Sequence, residues 1–199
     1  IDSKQSEQVT GWISDKETRR IAEVYKYFSA QKNENRNIQL LHPCSVTSRS
    51  SHSGAILPPL SLAYLASTLR EAGYLVEIIE GQGDAVFNIR LSECGDYNIQ
   101  GLTTEEILER IEPKTYVVGI SLLFSYEWLV QRELIKAIKT RFPKIIIVVG
   151  GEHVTALPEY VLRDCPEVDF AVSGEGEFTF LQLVSCIFYS REYQSISGV

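Results

Sequence analysis

The sequence predicts an α/β domain: a doubly wound, five-stranded parallel sheet with helices on both faces and a helical extension before it. Three observations carry this. Short apolar runs rich in β-branched residues recur at 38–42, 75–80, 116–121, 145–149 and 168–172. Segments with apolar residues at helical spacing separate most of them. The fourth run ends in Gly150-Gly151 and leads through Leu157-Pro158-Glu159 toward a helix, the strand, glycine turn and helix of an open α/β sheet. Right-handed crossovers leave few topologies, and the flavodoxin-like (Rossmann-like) order 2-1-3-4-5 is the expected one.

Each element has a local reason. In the extension, residues 1–36, Ser14 and Glu17 have capping-box spacing. Ile21, Val24, Tyr25 and Phe28 then mark a helix to about residue 30. The domain proper is expected over 37–189, with 190–199 as a tail or linker. After the first strand, residues 44–55 form a long polar loop carrying His52, and loops of that length tend to be functional or mobile. A helix over 61–72 places Leu62, Leu65, Ala66 and Leu69 on one face and ends at Gly73. Residues 84–101 have little periodicity and read as a loop or insertion. Thr103-Thr104-Glu105-Glu106 cap a helix to about residue 111, with acidic residues in its first turn where the helix dipole favours them. Further helices are expected over 127–141, 158–164, where Pro158 suits a first turn, and 178–188.

Composition narrows the function. Hydrophobic residues make up 44% and charged residues 23% of 199 residues, ordinary for a soluble globular chain. A formal charge of -7 argues against binding nucleic acid or an anionic membrane, and no apolar run has the length of a membrane span. Cys44, Cys94, Cys165 and Cys186 are scattered, without paired ligand spacing; reduced thiols in a cytoplasmic protein are expected. The chain begins with Ile1 and contains no Met, so it reads as a fragment or as a record that has lost its methionines.

In the expected strand order, the loops 44–59, 121–126, 150–155 and 173–177 share the carboxyl edge of the sheet. They are rich in Gly, Ser or Pro and hold no lysine. A phosphate site would want a P-loop lysine or a glycine-rich turn after the first strand, and receiver-type phosphotransfer would want acidic residues at that strand's end, where this chain has His42-Pro43. A large, neutral, amide-rich ligand fits such an edge better, since hydroxyls and backbone groups pair with amides without net charge.

Five motifs, in order, resemble the cobalamin (vitamin B12)-binding domain of cobalamin-dependent radical S-adenosylmethionine enzymes. They begin with Leu57-Pro58-Pro59-Leu60-Ser61-Leu62-Ala63-Tyr64-Leu65-Ala66 and Gly101-Leu102-Thr103-Thr104-Glu105-Glu106-Ile107. Next come Val118-Gly119-Ile120-Ser121, with Phe124-Ser125-Tyr126-Glu127-Trp128, and the stretch from Gly150-Gly151-Glu152-His153 to Pro158-Glu159. Asp169-Phe170-Ala171-Val172-Ser173-Gly174-Glu175-Gly176-Glu177 completes the series.

The resemblance implies a cobalamin cofactor laid over the strand ends. Ser121 and Ser125 would meet the corrin or its nucleotide tail, with Leu123 and Phe124 against the corrin. Gly150 and Gly151 would let the tail pass close to the backbone, beside His153 and Val154. Ser173, Gly174, Glu175 and Gly176 would flank it. The resemblance also implies a methyltransferase-type parent with a radical S-adenosylmethionine catalytic domain in cis. That domain would hold the iron–sulfur cluster and S-adenosylmethionine, so no catalytic residue is expected in this chain.

One departure bears on the cobalt. No Asp-x-His-x-x-Gly motif occurs, and His42, His52 and His153 each lack a carboxylate two residues before. No protein histidine is therefore expected on the metal, with His153 the alternative ligand. Two further classes stay open on the residues alone: a flavodoxin-like domain binding a flavin or nucleotide, and a ligand-free interaction domain.

Overall fold

In the computed structural model, which describes residues 37–51, 56, 58–189 and 196–199, eight strands form two sheets. The larger sheet contains β1 (Asn37–His42), β3 (Leu75–Glu80), β6 (Thr115–Ser121), β7 (Ile146–Gly150) and β8 (Phe170–Val172). Its order is β3-β1-β6-β7-β8, all parallel. Read by strand position within that sheet, this is the expected 2-1-3-4-5. The central strands have side chains buried on both faces, as Val117, Val118 and Ile120 illustrate, which explains their unbroken apolar runs.

Helices cover both faces. On one side α1 (Leu60–Glu71) and α6 (Gly176–Tyr189) pack Leu62, Ala66, Leu69, Leu181 and Val184 against Ile38, Leu40 and Val148. On the other, α2 (Thr104–Arg110), α3 (Trp128–Arg141), α4 (Glu152–Ala156) and α5 (Pro158–Asp164) cover Leu41, Val118, Ile147 and Val149.

Two local expectations hold in detail. Thr103 Oγ1 accepts from Glu106 N at 3.2 Å while Thr103 N donates to Glu106 Oε2 at 2.7 Å, a complete capping box. Gly73 closes α1 at φ +90, with its N–H on Arg70 O and that of Tyr74 on Leu69 O.

The stretches read as structureless differ. β2 (Ser45–Ser48), β4 (Ile89–Leu91) and β5 (Tyr97–Gln100) form an antiparallel sheet in the order β2-β5-β4. Its strands are three or four residues long, and β2 and β5 carry one apolar aliphatic residue each, Val46 and Ile99. Alternation over so few residues leaves no readable period, and β2 finds its partner about fifty residues downstream. This small sheet is anchored at the ends of β1 and β3. Gly81 N donates to His42 O at 2.7 Å and Leu102 N to Gly81 O at 2.6 Å.

The helix expected from Pro158 also has a forerunner, α4. Leu157, forced out of the helical region ahead of a proline, separates α4 from α5 at φ -139 and ψ 51. The expected helix at about 14–30 and His52 lie outside the described residues. Residues 196–199 return to the sheet edge, where Ser173 N donates to Gly198 O at 2.8 Å. Among the described residues no helix is long and apolar enough to cross a membrane.

Candidate functional site

Strand register brings the loop residues level. Ser121 pairs with Gly150 and Gly150 with Val172, so three strands end in one row at the carboxyl edge. Beneath that row, between α1 and α6, lies a cavity of about 390 Å³, within the roughly 300–1,000 Å³ usual for ligand clefts. Ser61, Leu62 and Leu65 form one wall, Gly174, Glu175 and Phe180 another, and Gly119, Ser121 and Gly150 the floor.

Glycines make this space in three ways. At Gly119, inside β6, a Cβ would meet Leu40 Cδ2 at 2.9 Å and Phe180 Cζ at 3.0 Å. Its absence lets Leu40 and Phe180 close beneath the cavity. At Gly151, φ is +110 and a Cβ would stand 2.5 Å from Leu122 O, so no other residue suits that position. The turn is stitched to the neighbouring strand end by Leu122 N on Gly150 O (2.7 Å) and His153 N on Leu122 O (3.1 Å). At Gly150, Gly174 and Gly176 a Cβ would meet nothing closer than 3.5 Å. There the missing side chains leave backbone open to a ligand.

The expected site residues divide. Ser121, Leu123, Gly150, Gly151, Gly174, Glu175 and Gly176 all line the first cavity. Phe124 lines a second one, and its ring stacks on Tyr126 at 5.3 Å. Ser125, His153, Val154 and Ser173 line neither. His153 is 2% exposed, with its ring against Trp128 and Tyr160 and its Nδ1 2.9 Å from Ser125 Oγ. Burial lowers its pKa, and the ring holds the Ser125 hydroxyl from inside the core. The sequence reading missed Ser61, Leu62, Leu65, Gly119, Thr155 and Phe180. Gly119 alone carried a signal, since an isolated glycine inside a strand marks a close approach.

The second cavity, about 320 Å³, lies between the small sheet and the end of β6 and shares Ser61, Ser121 and Leu123 with the first. His42, Thr47, Glu127 and Gln131 give it a polar lining. Glu127 is 5% exposed, and burial raises its pKa against the pull of the Val46 N–H, His42 and Gln131. Across the lining, His42 Nδ1 sits 2.7 Å from Glu80 Oε1. Burial would raise Glu80 as well, but the His42 bond and the N–H groups of Gly83 and Gln82 outweigh it and hold this carboxyl low.

Residues 49–184 match the family model for the B12 binding domain. The chain belongs to the B12-binding domain family. Its cofactor is therefore cobalamin; the first cavity opens at the strand ends and exposes glycine backbone, with room for part of such a ligand, its nucleotide tail. The chain is similar to several curated proteins. An uncharacterized methyltransferase of Pyrococcus horikoshii is 34% identical over 148 residues, covering 73% of this chain and 28% of that protein. An anaerobic magnesium-protoporphyrin IX monomethyl ester cyclase of Synechocystis is 31% identical over 72% of this chain and 26% of its own. A cobalamin-dependent radical SAM methyltransferase of Streptomyces tokunonensis is 32% identical over 80 residues, 39% of this chain and 12% of that one. The chain spans about a quarter of the length of the first curated relatives it matches.

Proposed function

We propose that this domain is the cobalamin-carrying part of a radical S-adenosylmethionine methyltransferase-type enzyme. The observation that carries the reading is the glycine-floored cavity at the carboxyl edge, inside a chain of the B12-binding family. Ser61, Ser121, Gly150, Gly151 and Thr155 would hold the nucleotide tail, and Leu123 and Phe124, at the mouth, would meet the corrin. Bound cobalamin supplies a cobalt centre able to carry and release a methyl group. The chain's own part is to bind that cofactor and keep water from its buried side through Leu62, Leu65 and Phe180.

The first cavity's lining also includes Glu152, Glu175 and Glu177, so tail binding would rest on its hydroxyls and backbone groups. Among the described residues no group of three His, Cys, Asp or Glu side chains could hold a metal ion. We assign the iron–sulfur cluster and S-adenosylmethionine to a partner domain in cis; the name of one relative, a cobalamin-dependent radical SAM methyltransferase, supports this.

Gly150→Val is the test. A Cβ there makes only ordinary contacts with Val172, at 3.5 Å from its O and 3.8 Å from its Cβ, so the fold tolerates it while the branched side chain narrows the cavity. Spectral titration with cobalamin should show affinity falling about a hundredfold, the scale of losing several contacts of a tightly held ligand. A folded variant that binds as tightly as the parent overturns the site. A purified parent chain that is yellow with flavin, or binds no cobalamin, overturns the reading.

A further inference from the structure

The last helix is apolar on more sides than the sheet can use. In α6, Phe180, Leu181, Leu183, Val184 and Ser185 are buried. Gln182, Cys186 and Tyr189 fall at i, i+4 and i+7, the row on the opposite side, and none of them is fully buried. Glu177, in the first turn, is the helix's one charged residue. An outer helix carries charge on the side that faces water, and one that is apolar nearly all round is covered. The lack of polar cover is greatest at the carboxyl end of α6. There Ile187 and Phe188, with Ile146 of β7 and Phe170 of β8, are only partly buried, and Tyr116 is 44% exposed.

The chain enters the sheet at this same spot. Asn37, the first residue of β1, is paired with Leu75 on one side and Thr115 on the other. Their chain neighbours Tyr74 and Tyr116 both set their rings near Phe188, at centroid distances of 5.6 and 5.1 Å. Residues 31–36 span at most about 20 Å, so the stretch before them is held close to the end of α6. That stretch, 14–30, has Ser14 and Glu17 at capping-box spacing and Ile21, Val24, Tyr25 and Phe28 along one side. Arg19, Glu23 and Lys26 fall on the other side. Such a helix draws most of its stability from packing its apolar face.

We propose that residues 14–30 form a helix docked on the outer side of α6, with Ile21, Val24, Tyr25 and Phe28 against Cys186, Phe188 and Tyr189. Each apolar stripe covers the other, and the short tether makes the encounter intramolecular. The inner side of α6 walls the first cavity through Phe180, so the docked segment braces that wall from behind. This placement does not depend on which ligand the cavity holds.

Cys186 is the reporter. Cys44 and Cys165 are buried and Cys94 is exposed, so in the full chain carrying Cys94→Ser, Cys186 is the thiol that a new cysteine in 14–30 would reach. A disulfide needs Cα atoms within about 7 Å. Val24→Cys, Tyr25→Cys and Phe28→Cys are compared one at a time with Glu23→Cys and Lys26→Cys under mild oxidation, the products being read by non-reducing electrophoresis and peptide mass. At least one apolar-side position should bridge to Cys186 within a single chain, about tenfold faster than either polar-side position. Equal rates on the two sides, or no intrachain bridge from any apolar-side position, overturns the proposal. Bridges between two chains would show a second copy on α6 and overturn it as well. Phe28→Asp in the Cys94→Ser chain gives an independent reading. Alkylation of Cys186 should quicken about tenfold with Cys165 still protected, and Glu23→Gln should leave the rate as it was. An unchanged rate in folded Phe28→Asp overturns the docking; should that variant unfold and expose Cys165 too, the bridging pattern decides.

Discussion

The two cavities that meet at Ser121 are built by opposite means. The first exists because side chains are missing: Gly119 lets Leu40 and Phe180 close its floor, and Gly150 opens its edge. The second exists because side chains are present, with Thr47, Glu127 and Gln131 brought to one wall by elements far apart in the chain. Glycine shapes a cavity by freeing backbone, so it constrains what may replace it more than what may bind. Buried polar groups do the reverse and specify the chemistry of the occupant. On this comparison the first cavity is shaped by absent side chains and the second by buried polar ones.

The largest effect that could break the comparison concerns the adjacent glycines of the turn. Gly151 combines φ +110 with a Cβ position 2.5 Å from Leu122 O, whereas Gly150 meets nothing closer than 3.5 Å. Gly151→Ala should cost about 3 kcal/mol or more in urea unfolding, from left-handed strain and backbone crowding together. Gly150→Ala should stay within about 0.5 kcal/mol of the parent. Equal losses would mean that the turn tolerates a side chain at either position, and Gly151 would then be a cofactor contact rather than a fold requirement.

A smaller effect separates cavity residues from those behind them. Ser125 was expected at the cofactor, yet its hydroxyl is committed to His153 Nδ1, and His153 Nε2 has no partner. Removing the hydroxyl leaves both nitrogens of a buried ring unsatisfied. Ser125→Ala should therefore destabilise by about 1–2 kcal/mol while leaving cobalamin affinity within about twofold. An affinity loss without a stability loss would return Ser125 to the cofactor site. The same geometry bears on cobalt. Paramagnetic resonance of the bound cobalt(II) form should lack nitrogen splitting from His153, and such splitting, lost in His153→Ala, would show that the ring leaves Trp128.

Legibility followed the kind of signal each region uses. The parallel sheet was readable because Val117-Val118, Ile120 and Ile147-Val148-Val149 form long buried runs, and the glycine turn because Gly150-Gly151 ends one of them. Cap chemistry at Thr103 and Gly73 is local and was readable for that reason. The small sheet was not, since β2 offers only Val46 as an apolar alternation point and pairs with a distant β5. The second cavity depends on that sheet: Val46 N is what holds Glu127 in place. His153 was misleading because a short helix starts at Glu152 and turns the next two residues, His153 and Val154, into the core.

The smallest effect tests the electrostatics of the second cavity. Glu127 lines the second cavity and Glu80 pairs with His42 of the same lining, and their pKa values move in opposite directions. Burial raises Glu127. Burial also acts on Glu80, but His42 and two backbone N–H groups bring it net below the ordinary glutamate range. A carboxyl raised in the folded state binds its proton more tightly there than in the unfolded chain. Its contribution is therefore fullest below the ordinary glutamate range and is lost as pH rises through the window up to the raised value. Glu80 behaves inversely: its contribution is present above the ordinary range and is lost as pH falls through the lowered value. Subtracting the urea stability profile of Glu127→Gln from that of the parent should give a difference that declines as pH rises from the ordinary glutamate range and is flat below it. The matching Glu80→Gln difference should be flat above that range and change only below it. A flat Glu127 profile would mean that the carboxyl is solvated, and its buried bonds with Val46 N and Gln131 would go with it.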